Sequence, residues 1–409
     1  MSVEPPQLYP PARELEPVLG SRDLFGGLEP LVYANHAGIS PPSILVRKAV
    51  ANMLADYGKH GAGSFMRWMA QRERLRGKLA SLVGAPPDRI ALTSNTTRGV
   101  TEVATCFPWA RGDRVFVFDG EFPANVLPWQ AAAEQHGLEI VRLDAHAYLA
   151  DEEAALARLA EEGRKGVRLC AVSAVQFQTG LRMPLASMSR VVRGAGGRLF
   201  VDAVQACGMV SLDVVRDGID FLAAGAHKWM MGLEGAGFLY ATSELELVPR
   251  TIGWLSVEQP VDFLLEGPGR LRYDKPVRRE ASIFEGGNLA AASFVALEAA
   301  LDAILALGVD AIFDHAQRFN HAVEEGALAL GYRSLRSPRP GRRSGILALS
   351  PPGEVSVVEL HRAISELGVA TAIPDGRLRI SPHWPNAIDE SEQVVLTLEH
   401  ALARVSSRR

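Results

Sequence analysis

In residues 223–240, AAGAHKWMMGLEGAGFLY, a single lysine, Lys228, interrupts a run of small and apolar side chains between His227 and Trp229. Desolvation depresses the pKa of an ammonium group, and a lysine depressed in this way becomes a nucleophile toward aldehydes. A snorkelling surface lysine is the plain alternative, so the chemistry must be supported by companions. Asp202 ends the β-rich run RLFVD, 228 − 202 = 26 residues upstream, with Gln205 three residues after it. A carboxylate at a buried strand end needs a cation. A protonated pyridine nitrogen is such a cation, and the pairing keeps the ring an electron sink. The third companion is SNTTRGV at 94–100, where Thr96 and Thr97 follow the run RIALTS and open a helical pattern. Hydroxyls and free backbone N–H groups at a helix start form a phosphate site; simple capping by Ser94 or Thr96 is the alternative. An imine-forming lysine, a cation-seeking aspartate and a phosphate cup are together what pyridoxal 5'-phosphate requires.

These residues must converge on one end of a sheet. From Arg89 onward the short runs RIALTS, RVFVFD, LEIVRLD, VRLCAVSAV, RLFVD and DFLAAG alternate with helical patterns at 124–136, 151–163 and 185–195. That alternation predicts crossover units feeding a mostly parallel α/β sheet with helices on both faces. Open sheets of this kind bind ligands outside the carboxyl ends of their strands, where Asp202, Lys228 and the 94–100 segment all fall. After an irregular stretch at 243–288, the segments ALEAALDAILALG, GILALS, VVELHRAISELG, RLRIS and VVLTLEHAL predict a small α+β domain. Pro5, Pro6, Pro10 and Pro11 make residues 1–30 an extended arm. The expected division is therefore an arm (1–30), a large domain (31–288, its N-terminal helical part joining the small domain) and a small C-terminal domain (289–409).

The chain has 409 residues, 47% hydrophobic and 22% charged, which suits a globular protein of more than one core. Its 43 basic and 47 acidic residues leave a net charge of −4, which gives no argument for nucleic acid or membrane partners. Three cysteines, Cys106, Cys170 and Cys207, have neither metal-type spacing nor an even count, which points to a reducing, cytoplasmic setting. The N-terminus carries no signal pattern. GAGGR at 194–198 precedes a strand and so fails the dinucleotide context. No HExxH occurs, no metal site is expected, and His36, His60, His136 and His315 taken alone read as ordinary histidines.

In its ordered motifs the chain resembles the fold-type I pyridoxal-phosphate enzymes of the class V aminotransferase family, the branch with cysteine desulfurases, selenocysteine lyases, isopenicillin N epimerase and kynureninase. The matching segments are NHAG (35–38), SNTTRGV (94–100), EFPANVLPW (121–129), VDAVQACG (201–208), AHKW (226–229), FEGGN (284–288) and RLRISPHWPN (377–386). The resemblance implies a large domain with a seven-stranded, mostly parallel sheet, and a homodimer is expected because the irregular 243–288 stretch and the proline-rich arm both call for a partner surface to bury against. It implies that Lys228 forms the imine and shuttles the substrate α-proton, that Asp202 pairs with the pyridine nitrogen, and that Gln205 donates to the phenolic oxygen. Thr96 and Thr97, helped by His227, would hold the phosphate, and Phe122 would stack on the ring. Arg379 would grip a substrate carboxylate, with Asn35 and His36 beside the substrate; a solvated strand-end arginine is the alternative. Two departures stand out. Gly225 replaces a serine common two residues before the His-Lys pair, and Gly286-Gly287 replaces the threonine that a neighbouring subunit often lends; backbone N–H groups of such a loop can substitute.

The implied activity is a reaction on an amino acid through an external aldimine and a Cα carbanion. An aminotransferase or carbon–sulfur lyase is expected first, an epimerase or kynureninase-like hydrolase next, and a non-catalytic cofactor-binding protein last. The approach to the RLRIS strand, ELGVATAIPDG, holds no cysteine, where persulfide-forming desulfurases carry theirs, so no persulfide thiol is expected.

Overall fold

The computed structural model describes residues 16–242, 248–288 and 290–407. The first 15 residues of the expected arm, with all four of its N-terminal prolines, lie outside the described residues. The chain begins with β1 (Val32–Tyr33), α1 (Ile44–His60), α2 (Phe65–Val83), β2 (Ile90–Thr93), α3 (Thr96–Cys106), β3 (Arg114–Asp119), α4 (Leu127–His136) and β4 (Glu139–Asp144). It continues through α5 (Ala147–Ala150), α6 (Glu152–Arg164), β5 (Leu169–Ser173), α7 (Leu185–Gly194), β6 (Arg198–Asp202), β7 (Phe221–Gly225) and β8 (Gly237–Ala241). The remainder is α8 (Asp262–Leu265), α9 (Ala291–Leu307), α10 (Val309–Ala329), β9 (Arg333–Ser334), β10 (Leu347–Ser350), α11 (Val357–Glu366), β11 (Val369–Ala370), β12 (Leu378–Ile380) and α12 (Glu390–Ser406).

Seven strands form the large sheet in the order β2-β8-β7-β6-β5-β3-β4. Only β8 runs against its neighbours β2 and β7; the pairings among β3 to β7 are parallel. Strands with apolar residues at every position must bury both faces, and successive side chains feed two different cores. Cys170, Val172, Leu199 and Val201 face a core built with α2, α7 and α9. Leu169, Ala171, Phe200 and Phe221 face another with α3 and α4, around Trp129. The result is an α/β fold of the expected class. Its seventh strand, β8, lies within the stretch quoted at the outset, where the sequence pattern had not separated it from the lysine loop.

A second unit holds the antiparallel sheet β12-β10-β9 and the parallel pair β1-β11, packed with α10, α11 and α12. Val32 and Ala34 from the N-terminal segment join this core. α9 places Phe294, Leu297, Leu301 and Ile304 in the large-sheet core. At Gly308 the chain bends by 78° into α10, whose Phe319 and Val323 belong to the other core. The bent pair α9–α10 thus couples the two units. Among the described residues no single helix is long and apolar enough to cross a membrane.

Candidate active site

β6 and β7 end side by side, with Asp202 opposite Ala223. The turn after β7 carries Lys228. The loop behind it is held rigidly: the Trp229 indole N–H donates to Gln205 Oε1 at 2.8 Å, and Ser40 Oγ donates to Lys228 O at 2.7 Å. Gly208, at φ +94°, passes so close that a Cβ there would lie 2.4 Å from Trp229 O. The lysine therefore projects from a buried tryptophan anchor. Burial lowers its pKa to about 8, with Asp202 opposing and Arg379 adding to the shift. Its Nζ lies 5.4 Å from the centre of the Phe122 ring, which is 45% exposed and meets Phe177 edge-on at 5.5 Å. The structure thus brings Lys228, Asp202, Phe122 and Arg379 to one place.

Asp202 is 2% exposed, and its Oδ1 accepts from Val204 N at 2.9 Å. Among the described residues it has no ion-pair partner. Burial raises its carboxyl to about 7, with Glu121 adding to that shift and Lys228 opposing it. Glu121 is a residue that sequence reasoning passed over. Its carboxylate accepts from Ser173 N at 2.7 Å, Ser173 Oγ, Gln176 Nε2 at 2.9 Å and Asn125 Nδ2 at 3.3 Å. Those bonds fix the segment carrying Phe122 to the end of β5, next to Asp202 in register. Only its place in EFPANVLPW could have flagged it.

At the start of α3, Thr96 is buried and Thr97 exposed. The helix cap is Asn95, whose Oδ1 accepts from Arg98 N at 2.8 Å, and this corrects the alternative of a Ser94 or Thr96 cap. The Thr96 hydroxyl is left for other duty. A Cβ at Gly225 would meet Thr96 Oγ1 at 3.2 Å and His227 Nδ1 at 3.3 Å. A serine there would crowd both, so the glycine lets threonine and histidine converge. Gln205 is 3% exposed and already committed: its Nε2 donates to Ala37 O at 3.0 Å while its Oε1 serves Trp229, leaving one amide hydrogen.

Arg379, on β12, is 5% exposed, which removes the solvated strand-end alternative. Its Nη1 donates to Phe177 O at 3.1 Å, its Nε has no partner, and no carboxylate pairs with it among the described residues. Burial lowers its pKa to about 10. Asn35 bridges to Ser381, and its buried Oδ1 has no partner. His36 is enclosed, its Nδ1 2.8 Å from Ser40 Oγ, and burial holds it neutral. Gly287 lies apart, 4.0 Å from Trp254 Nε1 as measured from an added Cβ. Its loop is tied to β2 by Glu285, which pairs with Arg76 at 2.5 Å and accepts from Leu92 N at 2.7 Å.

The family model for aminotransferase class-V matches residues 48–372. The chain belongs to the class V aminotransferase family. The uncharacterized aminotransferase YcbU of Bacillus subtilis is 27% identical over 343 residues, covering 82% of this chain and 83% of the relative. A probable cysteine desulfurase of Methanothermobacter thermautotrophicus is 28% identical over 393 residues, covering 90% and 94%. Among solved structures, that of C-DES with glycine covalently linked to its pyridoxal phosphate superposes with a TM-score of 0.83. It is 23% identical over 93% of this chain and 99% of that one, a likeness of fold. This class V protein is a pyridoxal-phosphate enzyme. The residues present fit that cofactor: a buried carboxylate without a cation, a half-buried lysine of lowered pKa, and a threonine at a helix start freed from capping.

Proposed function

We propose that this enzyme acts at the Cα–H bond of an amino acid, as a carbon–sulfur lyase or an aminotransferase, without any protein thiol. The observation that carries the amino-acid reading is Arg379, an enclosed guanidinium with an unpartnered Nε and no carboxylate of its own. Its planar fork suits a substrate carboxylate. Bound pyridoxal phosphate supplies an aldehyde and an electron-accepting ring. Thr96, Thr97 and His227 would hold its phosphate at the start of α3, Asp202 would pair with the pyridine nitrogen and favour its protonated form, and Phe122 would cover the ring. The remaining amide hydrogen of Gln205 is available to the phenolic oxygen. Lys228, whose pKa burial lowers to about 8, takes the Cα proton.

The absence of a persulfide thiol is supported by burial: Cys106, Cys170 and Cys207 are all enclosed, and burial pushes the thiols of Cys170 and Cys207 up. Reactive thiolates need access and a lowered pKa. C-DES is named as a cystine C–S lyase with cysteine persulfide as product. We further propose a homodimer, with Gly286 and Gly287 of one subunit lending backbone N–H groups to the other's phosphate site. The test is a variant with all three cysteines replaced by alanine, assayed with cystine and with a panel of amino and oxo acids. Sulfur release or amino-group transfer that persists in the variant is expected. Neither product from either protein contradicts the reading, and loss of turnover in a folded variant contradicts its thiol-free part.

A further inference from the structure

Three consecutive carbonyls around the lysine are each held by a donor from outside its loop. His227 O accepts from Ser40 N at 2.8 Å, Lys228 O from Ser40 Oγ at 2.7 Å, and Trp229 O from His383 Nε2 at 2.9 Å. His383 is fully buried, and its Nδ1 accepts from Trp384 N at 2.7 Å. A backbone N–H can only donate, so Nδ1 is bare and Nε2 carries the proton. The ring is thus neutral with both nitrogens satisfied, and the surrounding burial keeps it so. The edge of His36 meets it at 5.3 Å between centroids, and His36 in turn bonds Ser40.

His383 stands four residues after Arg379. The intervening chain has little freedom: Arg379 pairs with Ala348 and Ala372, and Ser381 is bonded to Ala34, His36 and Ala37. The bond from His383 to Trp229 O therefore joins the segment that bears the arginine to the anchor that bears the lysine. We propose that His383 is a positioning residue that sets the register of Arg379 against Lys228, an inference that rests on the roles proposed above for those two side chains. A misplaced arginine weakens ligands that must reach both groups, while a ligand that needs only the lysine end is untouched.

Holoenzyme titrated with glycine and, separately, with methylamine tests this, because both amines shift the cofactor's visible band but only glycine carries a carboxylate. His383→Phe keeps the ring volume and removes the donor; its apparent dissociation constant for glycine is expected to rise about tenfold or more with that for methylamine unchanged. His383→Gln, whose amide N–H reaches the same carbonyl, is expected to stay within about threefold of wild type. Unchanged glycine affinity in His383→Phe, or equal weakening of both amines, overturns the proposal. Should His383→Phe not fold, a His383→Gln protein that discriminates against glycine overturns it and one that does not supports it. Wild-type protein without a visible band overturns the functional reading and this inference with it.

Discussion

At the residue scale burial sets the charge states of the candidate site. Asp202 titrates at about 7 in the folded chain against 3.8 as a free side chain. The folded cofactor-free protein therefore binds the extra proton between those values, so this contribution to stability is fully present below about pH 4 and lost as pH rises through about 7. Asp202→Asn is expected to remove that slope from denaturation midpoints measured across pH 4–7, and an unchanged slope contradicts the assignment. In the holoenzyme the same variant is expected to slow α-proton exchange by roughly 100-fold or more, because an unprotonated ring is a poorer electron sink. Lys228 and Asp202 were legible in the sequence because charged residues in apolar strand ends are conspicuous. Glu121 and His383 were not, because they act through hydrogen bonds to groups 52 or more residues away, and no spacing rule marks such partners. Asn95 is a local cap, and the sequence offered Ser94 and Thr96 for the same place.

At the element scale the strands and helices that carry the site follow their apolar periodicities closely, from β3 at Arg114–Asp119 to α6 at Glu152–Arg164. β8 escaped because GFLYA follows the lysine loop after only a glycine-rich turn, and six parallel strands already satisfied the alternating pattern. β1, β9 and β11 have two residues each, too short to show a period of two. Close backbone packing is equally silent in a sequence. Gly208 combines φ +94° with the approach to Trp229 O, so Gly208→Ala adds both backbone strain and a clash behind the lysine. A loss of roughly 2–4 kcal/mol is expected, together with weaker cofactor retention; denaturant midpoints and cofactor titration of the variant check it, and wild-type values for both contradict it.

At the scale of the whole molecule, α9 and α10 join the two cores and the site lies where β12 meets the ends of β5, β6 and β7. Residues 257 to 277 form an excursion closed by the Val257–Val277 bridge and by the Lys275–Asp262 ion pair. It leaves the large apolar side chains of Phe263, Leu264, Leu265, Leu271 and Tyr273 exposed, and exposed apolar side chains gathered on one segment suit a protein contact. Sedimentation at micromolar concentration is expected to show a dimer, and replacing Leu264, Leu265 and Leu271 by serine to weaken it; a catalytically active wild-type monomer contradicts that arrangement. All of the proposed chemistry depends on Lys228 being the residue joined to the cofactor. Borohydride reduction of the holoenzyme followed by peptide mapping tests it most directly. The covalent label is expected on Lys228 alone and is expected to vanish in Lys228→Ala, whereas a label on another lysine, or full labelling of the variant, would contradict it.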